Sequence, residues 1–214
     1  MRAALFAVVL LACAGCAQVQ QAVAPPPDPA TQMPALEQRI AVLIEEARQR
    51  IDPKARALAI DSELTQIARE RASDMAAKNY FAHTSPTGET SASLLMAQDA
   101  KYQGLLGENM AAQHFTKAGG VDVDAFARSF VDTWLNSPPH RENLTFADYN
   151  LTGVGAAVNA DTVYVTELFS TDLGLPPRND DAPQSRITPL ASPQAAKAVP
   201  PDDRPRGPAV PATP

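Results

Sequence analysis

The spacing of apolar residues predicts three helices in the middle of the chain. Apolar residues recur every three or four positions over residues 36–51 and again over 64–75, as on one buried helical face. Pro53 closes the first segment, and Asp61 is suited to cap the second, because its carboxylate can accept from backbone N–H groups of the first turn. A third helix is predicted over residues 122–135, where aromatic residues recur every four positions, and Ser137-Pro138-Pro139 ends it.

Three other segments have the pattern of strands. They cover residues 108–113, 151–158 and 162–169, and residues 159–161 are suited to a hairpin turn between the last two. Helices come first in the chain and an antiparallel hairpin comes last. This order predicts an α+β fold and not an alternating parallel α/β fold.

The first sixteen residues have the composition of an export signal. Arg2 precedes a short uncharged apolar stretch, residues 3–11, which suits a signal-peptide core but falls well below the ~20 residues of a membrane-spanning helix. The stretch that follows, Leu-Leu-Ala-Cys-Ala-Gly-Cys, resembles the bacterial lipoprotein box, in which a lipidated cysteine becomes the new N-terminus. Cys13 or Cys16 can be that cysteine, and the alternative is an ordinary secretory signal with incidental cysteines.

Export and lipidation together predict a location outside the cytoplasm. Alanine, not aspartate, follows each cysteine. By resemblance to lipoprotein sorting in enteric bacteria, this favours the outer membrane or periplasm. The protein is expected to be secreted instead if neither cysteine is lipidated.

Prolines divide the chain of 214 residues into a domain and its flanks. Residues 17–34 contain a proline run and are predicted to be a spacer. Residues 175–214 are proline-rich and polar, and they are predicted to be disordered because they bury too little apolar surface to offset their ordering entropy. One domain is therefore expected at residues 35–174.

Charge and cysteine content exclude several classes of protein. The formal net charge is −6, which argues against a nucleic-acid partner. Both cysteines lie in the first sixteen residues, so the predicted domain has neither a disulfide framework nor a cysteine zinc site. The expected partners are the membrane, through the lipid, and an unidentified ligand or protein of the envelope, and we expect a monomer.

Few side chains of the predicted domain are candidates for chemistry. The chain has three histidines, His83, His114 and His140. His83 and His140 lie at predicted element ends beside glycine or proline, as does Glu108, where functional side chains are often presented. His114 matches no motif and is expected in a loop or on the surface.

Several motifs resemble the CAP superfamily of cysteine-rich secretory, antigen 5 and pathogenesis-related 1 proteins, and especially its bacterial SCP-like branch. Four stretches match in order, and a Leu-Thr-Gly-Val-Gly segment follows before the last strand: residues 61–75, 81–88, 107–109 and 134–144, then 151–155. The resemblance implies a three-layer α-β-α sandwich with a central, mainly antiparallel sheet. It also implies a cleft formed by His83, Glu108 and His140, which in some relatives binds a divalent metal.

Two positions depart from the family pattern. Ser137 stands where animal members have a second cleft glutamate, and Glu45 stands three residues before Arg48 where asparagine or histidine is usual. Zinc generally needs three or four protein ligands. We therefore expect weak binding of zinc or another divalent cation at best, and we interpret Glu45 as an ordinary solvent-facing charge.

Three functions remain open for the cleft. The preferred one is a non-enzymatic binding or interaction module, since some relatives bind sterols, fatty acids or other lipids. The alternative is a peptidase-like hydrolase, in which His83, Glu108 and His140 position water, with or without a metal, or in which Ser85 or Ser137 is the nucleophile. The third is a structural hydrogen-bond network that specifies the fold. No residue is assigned as catalytic on this basis.

Overall fold

The computed structural model describes residues 24–171 and two short strands at 187–189 and 210–211. The candidate lipidation sites, Cys13 and Cys16, and most of the predicted tail lie outside the described residues. Within the described part of the chain, no helix is both long enough and apolar enough to cross a membrane.

Five helices and six strands make up the described structure. The helices are α1 (Pro29–Ile51), α2 (Ser62–Lys78), α3 (Ser91–Gln98), α4 (Val123–Asn136) and α5 (Pro138–Thr145). The strands are β1 (Ala59–Asp61), β2 (Leu106–His114), β3 (Leu151–Asn159), β4 (Thr162–Ser170), β5 (Ile187–Pro189) and β6 (Val210–Pro211).

These strands form one sheet in the order β5-β1-β3-β4-β2-β6. Strands β3, β4 and β2 pair antiparallel over their whole length, whereas β1 runs parallel to β3. Helix α2 covers one face of the sheet, and α1, α4 and α5 cover the other. The predicted α-β-α sandwich with a mainly antiparallel sheet is confirmed.

Helix α2 lies on β3 at backbone distance. A Cβ atom on Gly155 would be 2.0 Å from the backbone nitrogen of Arg69, and one on Gly153 would be 2.3 Å from that of Thr65. Only glycine allows so close an approach of a helix to a strand. The two glycines of the predicted strand therefore fix the position of α2, whose C-terminal end leads to His83.

The opposite face is packed by aromatic residues and by one buried cation. Phe126, Phe130 and Trp134 of α4 are buried, and the Trp134 indole N–H donates to the carbonyl of Met110 at 3.0 Å. Arg48 of α1 donates to four backbone carbonyls, those of Arg56, Leu144, Phe146 and Tyr149, at 2.8–3.2 Å. Arg48 thereby holds α1 against the end of α5 and the segment that leads to β3.

Three sequence-based boundaries need correction. Helix α1 begins at Pro29, inside the predicted spacer, because Asp28 caps it and proline is favourable in a first turn. For the same reason Pro138 and Pro139 do not only end α4 but also begin α5. The tail predicted to be disordered contributes β5 and β6, which pair with the outer edges of β1 and β2.

Candidate functional site

His83 lies on a short connection after α2. The helix ends at Asn79, which adopts the left-handed conformation (φ 53°) and turns the chain towards β2. The His83 imidazole Nδ1 is 2.6 Å from Glu108 Oε2, and 35% of the His83 side chain is exposed. A hydrogen bond at Nδ1 leaves Nε2 available to a ligand.

Glu108 is held by two neighbours. One carboxylate oxygen bonds the His83 ring, and the other accepts from the Ser91 hydroxyl at 2.5 Å. Ser91 is buried in the first turn of α3, and only 13% of the Glu108 side chain is exposed. The chain Ser91–Glu108–His83 thus orients the imidazole, as carboxylates commonly orient histidines that bind metals.

His140 reaches the same strand from the other layer of the sandwich. It lies in the first turn of α5, and its Nδ1 is 2.9 Å from the hydroxyl of Ser137. The side chain of Asn109 donates to the His140 carbonyl at 3.0 Å, and Asn143 donates to the Glu108 carbonyl at 3.1 Å. The Gly-Glu-Asn motif therefore serves twice, because Glu108 faces His83 while Asn109 anchors α5.

The electrostatics of His140 favour its neutral form. Burial lowers the pKa of His140, and the charge of His83 lowers it further. The two imidazoles come from opposite layers of the sandwich, His83 from the loop after α2 and His140 from α5. Of the predicted site residues, His83 and Glu108 are in direct contact, whereas His140 is linked to the same strand through Asn109.

The donor set of this cleft is small for a metal ion. The described residues contain no group of three or more histidine, cysteine, aspartate or glutamate side chains arranged to hold one. Both oxygens of Glu108 are already engaged, which leaves two imidazoles, whereas zinc sites use three or four protein ligands. Two imidazoles alone fall short of the ligand set that a zinc ion generally requires.

Two other predicted candidates lie outside this arrangement. Ser85 is buried, and its hydroxyl accepts from the backbone N–H groups of Thr87 and Glu89, which makes it part of a turn. His114 ends β2 with 71% of its side chain exposed, and its Nδ1 is 2.8 Å from the Thr162 hydroxyl. The expectation that His114 is a surface residue is met.

Glu45 differs from its interpretation as a solvent-facing charge. It is half-buried, and it accepts from the backbone N–H of Leu58 at 3.1 Å and from Gln49 at 3.0 Å. It fixes the segment before β1 rather than facing water alone. Asn143 joins α5 to β2 through its bond to the Glu108 carbonyl, and Arg141 is exposed.

Two cavities in the described structure are lined by other residues. One of about 280 Å³ lies between α1 and α2 beside Glu37 and Arg69, and one of about 470 Å³ lies beside Arg56 and Leu105. Neither includes a histidine. Binding at the candidate site would therefore depend on the two imidazoles more than on an enclosed cavity.

Sequence reasoning missed three polar residues that the structure shows to matter. Ser91 and Arg71 support the cleft, and Glu167 is a buried acid of β4. Serine next to the helix-capping Thr90 gives no signal by itself. Glu167 lies on the same face of β4 as the buried Val163 and Val165, and a polar residue in that alternation could have drawn attention to it.

The fold defines a class of small proteins that are built as an α-β-α sandwich. The family model described as "CAP: Cysteine-rich secretory protein family" matches residues 47–170, and the chain belongs to that family. The uncharacterized protein YkwD of Bacillus subtilis is 31% identical over 121 residues, which are 56% of this chain and 42% of that protein. The chain thus spans less than half of that relative.

Solved structures give the same classification. An extracellular protein containing an SCP domain from Bacillus anthracis is 30% identical, with a TM-score of 0.51 over 71% of this chain and 45% of that one. An outer surface protein from Borrelia burgdorferi has a TM-score of 0.53 over 64% of this chain and 92% of its own, at 23% identity. The second likeness shows the fold alone.

Proposed function

We propose that this CAP protein acts outside the cytoplasm, attached to the cell envelope through a lipidated N-terminal cysteine. The composition of residues 1–16 supports an exported lipoprotein, and the similar protein from Bacillus anthracis that is described as extracellular supports the location. Labelling with a radioactive fatty acid, compared between Cys13→Ser, Cys16→Ser and the double variant, tests the anchor. Label retained by the double variant would contradict it.

The cleft of this protein is a binding site and not a catalytic centre. The observation that carries this proposal is that each histidine has its Nδ1 held by a neighbour, His83 by Glu108 and His140 by Ser137. Two oriented imidazoles from opposite layers then offer their Nε2 atoms to one ligand. Such a pair suits a weakly held divalent cation, or a polar group of a lipid or another envelope component.

Zinc is the probe that tests the cleft. With zinc at a tenfold excess over its dissociation constant, linkage adds about 1.4 kcal/mol. We therefore expect the melting temperature of the full chain to rise by roughly 3–6 °C. His83→Ala and His140→Ala should abolish the rise, because each removes one of two ligands.

His114→Ala is the matched control, since it deletes an exposed imidazole outside the cleft. It should keep the full zinc effect. The binding proposal fails for divalent cations if wild type shows no rise, or if His114→Ala loses the rise as the cleft variants do. In that case a lipid ligand, tested with vesicles in the same melting experiment, becomes the next candidate.

One observation favours a hydrolase as the second candidate. The Ser137 hydroxyl lies 2.9 Å from an imidazole that burial keeps neutral, as a serine nucleophile requires of its base. However, no contact between His140 and a carboxylate occurs in the part of the chain that the structure describes. Turnover of an activated ester that is lost in Ser137→Ala, with zinc binding intact, would replace the binding proposal with this one.

A further inference from the structure

Arg71 of α2 is a buried cation whose hydrogen bonds go to a loop. It is 1% exposed, and its Nη2 donates to the carbonyls of Ala82 and His83, both at 3.0 Å. Its Nη1 donates to the Tyr80 hydroxyl at 3.0 Å. Burial of a guanidinium is costly unless its donors are used. We therefore attribute the arginine at this position to its hydrogen bonds with the loop carbonyls and the Tyr80 hydroxyl, and not to filling of the core.

The charge of Arg71 is balanced indirectly, by Asp74 through the Tyr80 hydroxyl. The Tyr80 hydroxyl donates to Asp74 Oδ2 at 2.6 Å, and Asp74 also pairs with Lys78 at 2.6 Å. Burial, and then the bond to Asp74, raise the pKa of Tyr80 to about 12, so its hydroxyl remains a donor. Arg71, Tyr80 and Asp74 form a continuous network that begins and ends on α2 and encloses the loop.

The enclosed loop carries the His83 imidazole. Among the described residues, the hydrogen bond to Glu108 fixes the His83 ring. The loop is neither helix nor strand, so the ring position also depends on where the main chain holds the His83 Cα atom. We infer that Arg71 is a positioning residue for His83. By clamping two consecutive carbonyls, it places the imidazole so that Nδ1 meets Glu108 and Nε2 is left for a ligand.

This inference rests on the proposed function only for the use of Nε2, because the ring position can be measured without a ligand. The chain has three histidines, so long-range ¹H–¹⁵N spectra of the ¹⁵N-labelled full chain can resolve every ring. At about pH 8.5 an ordinary imidazole is neutral, and its nitrogen shifts report the tautomer. In wild type we expect His83 to be held as the Nδ1–H tautomer by the Glu108 carboxylate.

Arg71→Met should loosen this tautomer selectively. The ratio of Nδ1–H to Nε2–H at His83 should fall roughly tenfold, equivalent to about 1.4 kcal/mol, while His114 and His140 keep theirs. Arg71→Lys should give a smaller fall, because an ammonium can reach a carbonyl but lacks the planar fork. Arg69→Met is the matched control, since that arginine lies on the same helix but pairs with Glu37 and should leave His83 unchanged.

Two results would overturn the inference. One is a folded Arg71→Met protein with an unchanged His83 tautomer ratio. The other is an equal change at all three histidines, which would indicate general loosening. If Arg71→Met does not fold, the test uses Arg71→Lys and Tyr80→Phe instead. The role of Arg71 is then refuted if the His83 tautomer ratio is unchanged in both variants. Because zinc is absent from this measurement, a wild type that fails to bind zinc refutes the proposed function and not the role of Arg71.

Discussion

Two glutamates on neighbouring strands show how differently this sandwich uses a carboxyl group. Glu108 of β2 lies opposite Leu168, and Glu167 of β4 lies opposite Asn109, so the two side chains point to opposite faces of the sheet. Glu108 contacts His83 and Ser91 at the cleft. Glu167 is 0% exposed, accepts one bond from Thr152, and has its Oε2 without a hydrogen-bond partner among the described residues.

The two glutamates differ in the interactions that compensate for the burial of their carboxyl groups. Desolvation raises the pKa of Glu167 to about 8, and the Thr152 hydrogen bond and the charge of Arg48 offset only part of it. At neutral pH Glu167 is therefore a protonated acid inside the core. Glu108 instead has an imidazole and a hydroxyl within hydrogen-bond distance. Glu108 has a partner for each carboxyl oxygen and belongs to the candidate site. Glu167 has a partner for one oxygen only among the described residues, and its burial makes the stability of the fold depend on pH.

The largest expected effect follows from removing the Glu167 carboxyl. Its folded pKa of about 8 lies above the ordinary value of 4.5, so the folded state binds the proton more tightly. The stability that Glu167 contributes through this proton is complete at a pH below the pKa of the unfolded state, and it is lost as the pH rises towards 8. Across this window the unfolding free energy of wild type should fall by up to about 1.4 kcal/mol per pH unit.

Glu167→Gln should remove this slope, because an amide cannot ionise. Urea unfolding at a series of pH values between 5 and about 8.5 measures it. The variant should gain stability relative to wild type as pH increases. A variant that keeps the wild-type slope would show that other groups cause it.

A smaller effect on stability is expected when the Thr152 hydroxyl, which donates to Glu167, is removed. Thr152→Val keeps the shape of the side chain but removes the donor to Glu167 Oε1, which should cost about 1–3 kcal/mol. Because the Thr152 bond lowers the pKa of Glu167, its loss raises that pKa. The pH-dependent fall in stability should then extend to higher pH.

Thr166→Val provides a matched control for this change. Thr166 is equally buried on the same strand as Glu167, but its hydroxyl has no hydrogen-bond partner in the described part of the structure. The substitution should be nearly neutral or stabilising in the same urea experiment. Equal losses in the two variants would mean that the Thr152 bond contributes nothing specific.

The sequence was informative wherever a local rule determines the structure. Asp61 caps α2 as predicted, with its carboxylate accepting from the backbone N–H groups of Glu63 and Leu64. The hairpin turns at Ala160 and Asp161, within the predicted turn. The family motifs also placed His83 and Glu108 within hydrogen-bond distance, since they lie at element ends that the fold brings together.

What the sequence did not reveal depends on contacts between distant segments. Arg71 reads as an ordinary helix charge until the loop at Ala82 folds over it. Glu167 interrupts a run of apolar residues, and periodicity alone cannot show that its side chain lies in the core. The short strand β1 was missed because three residues paired with a distant strand leave no periodic pattern.

The smallest effect on stability is expected at the candidate site, when the hydroxyl that donates to Glu108 is removed. Ser91→Ala removes the donor to Glu108 Oε1, and we expect a loss of about 1 kcal/mol in urea unfolding, since water can partly replace the hydroxyl. Ser93→Ala makes the same change two residues later, in the capping box of the same helix, without touching Glu108. If Ser91 supports the site, only Ser91→Ala should shift the His83 tautomer ratio, although both variants weaken α3. An equal shift in both would mean that the position of α3 as a whole, and not the Ser91–Glu108 bond, orients the imidazole.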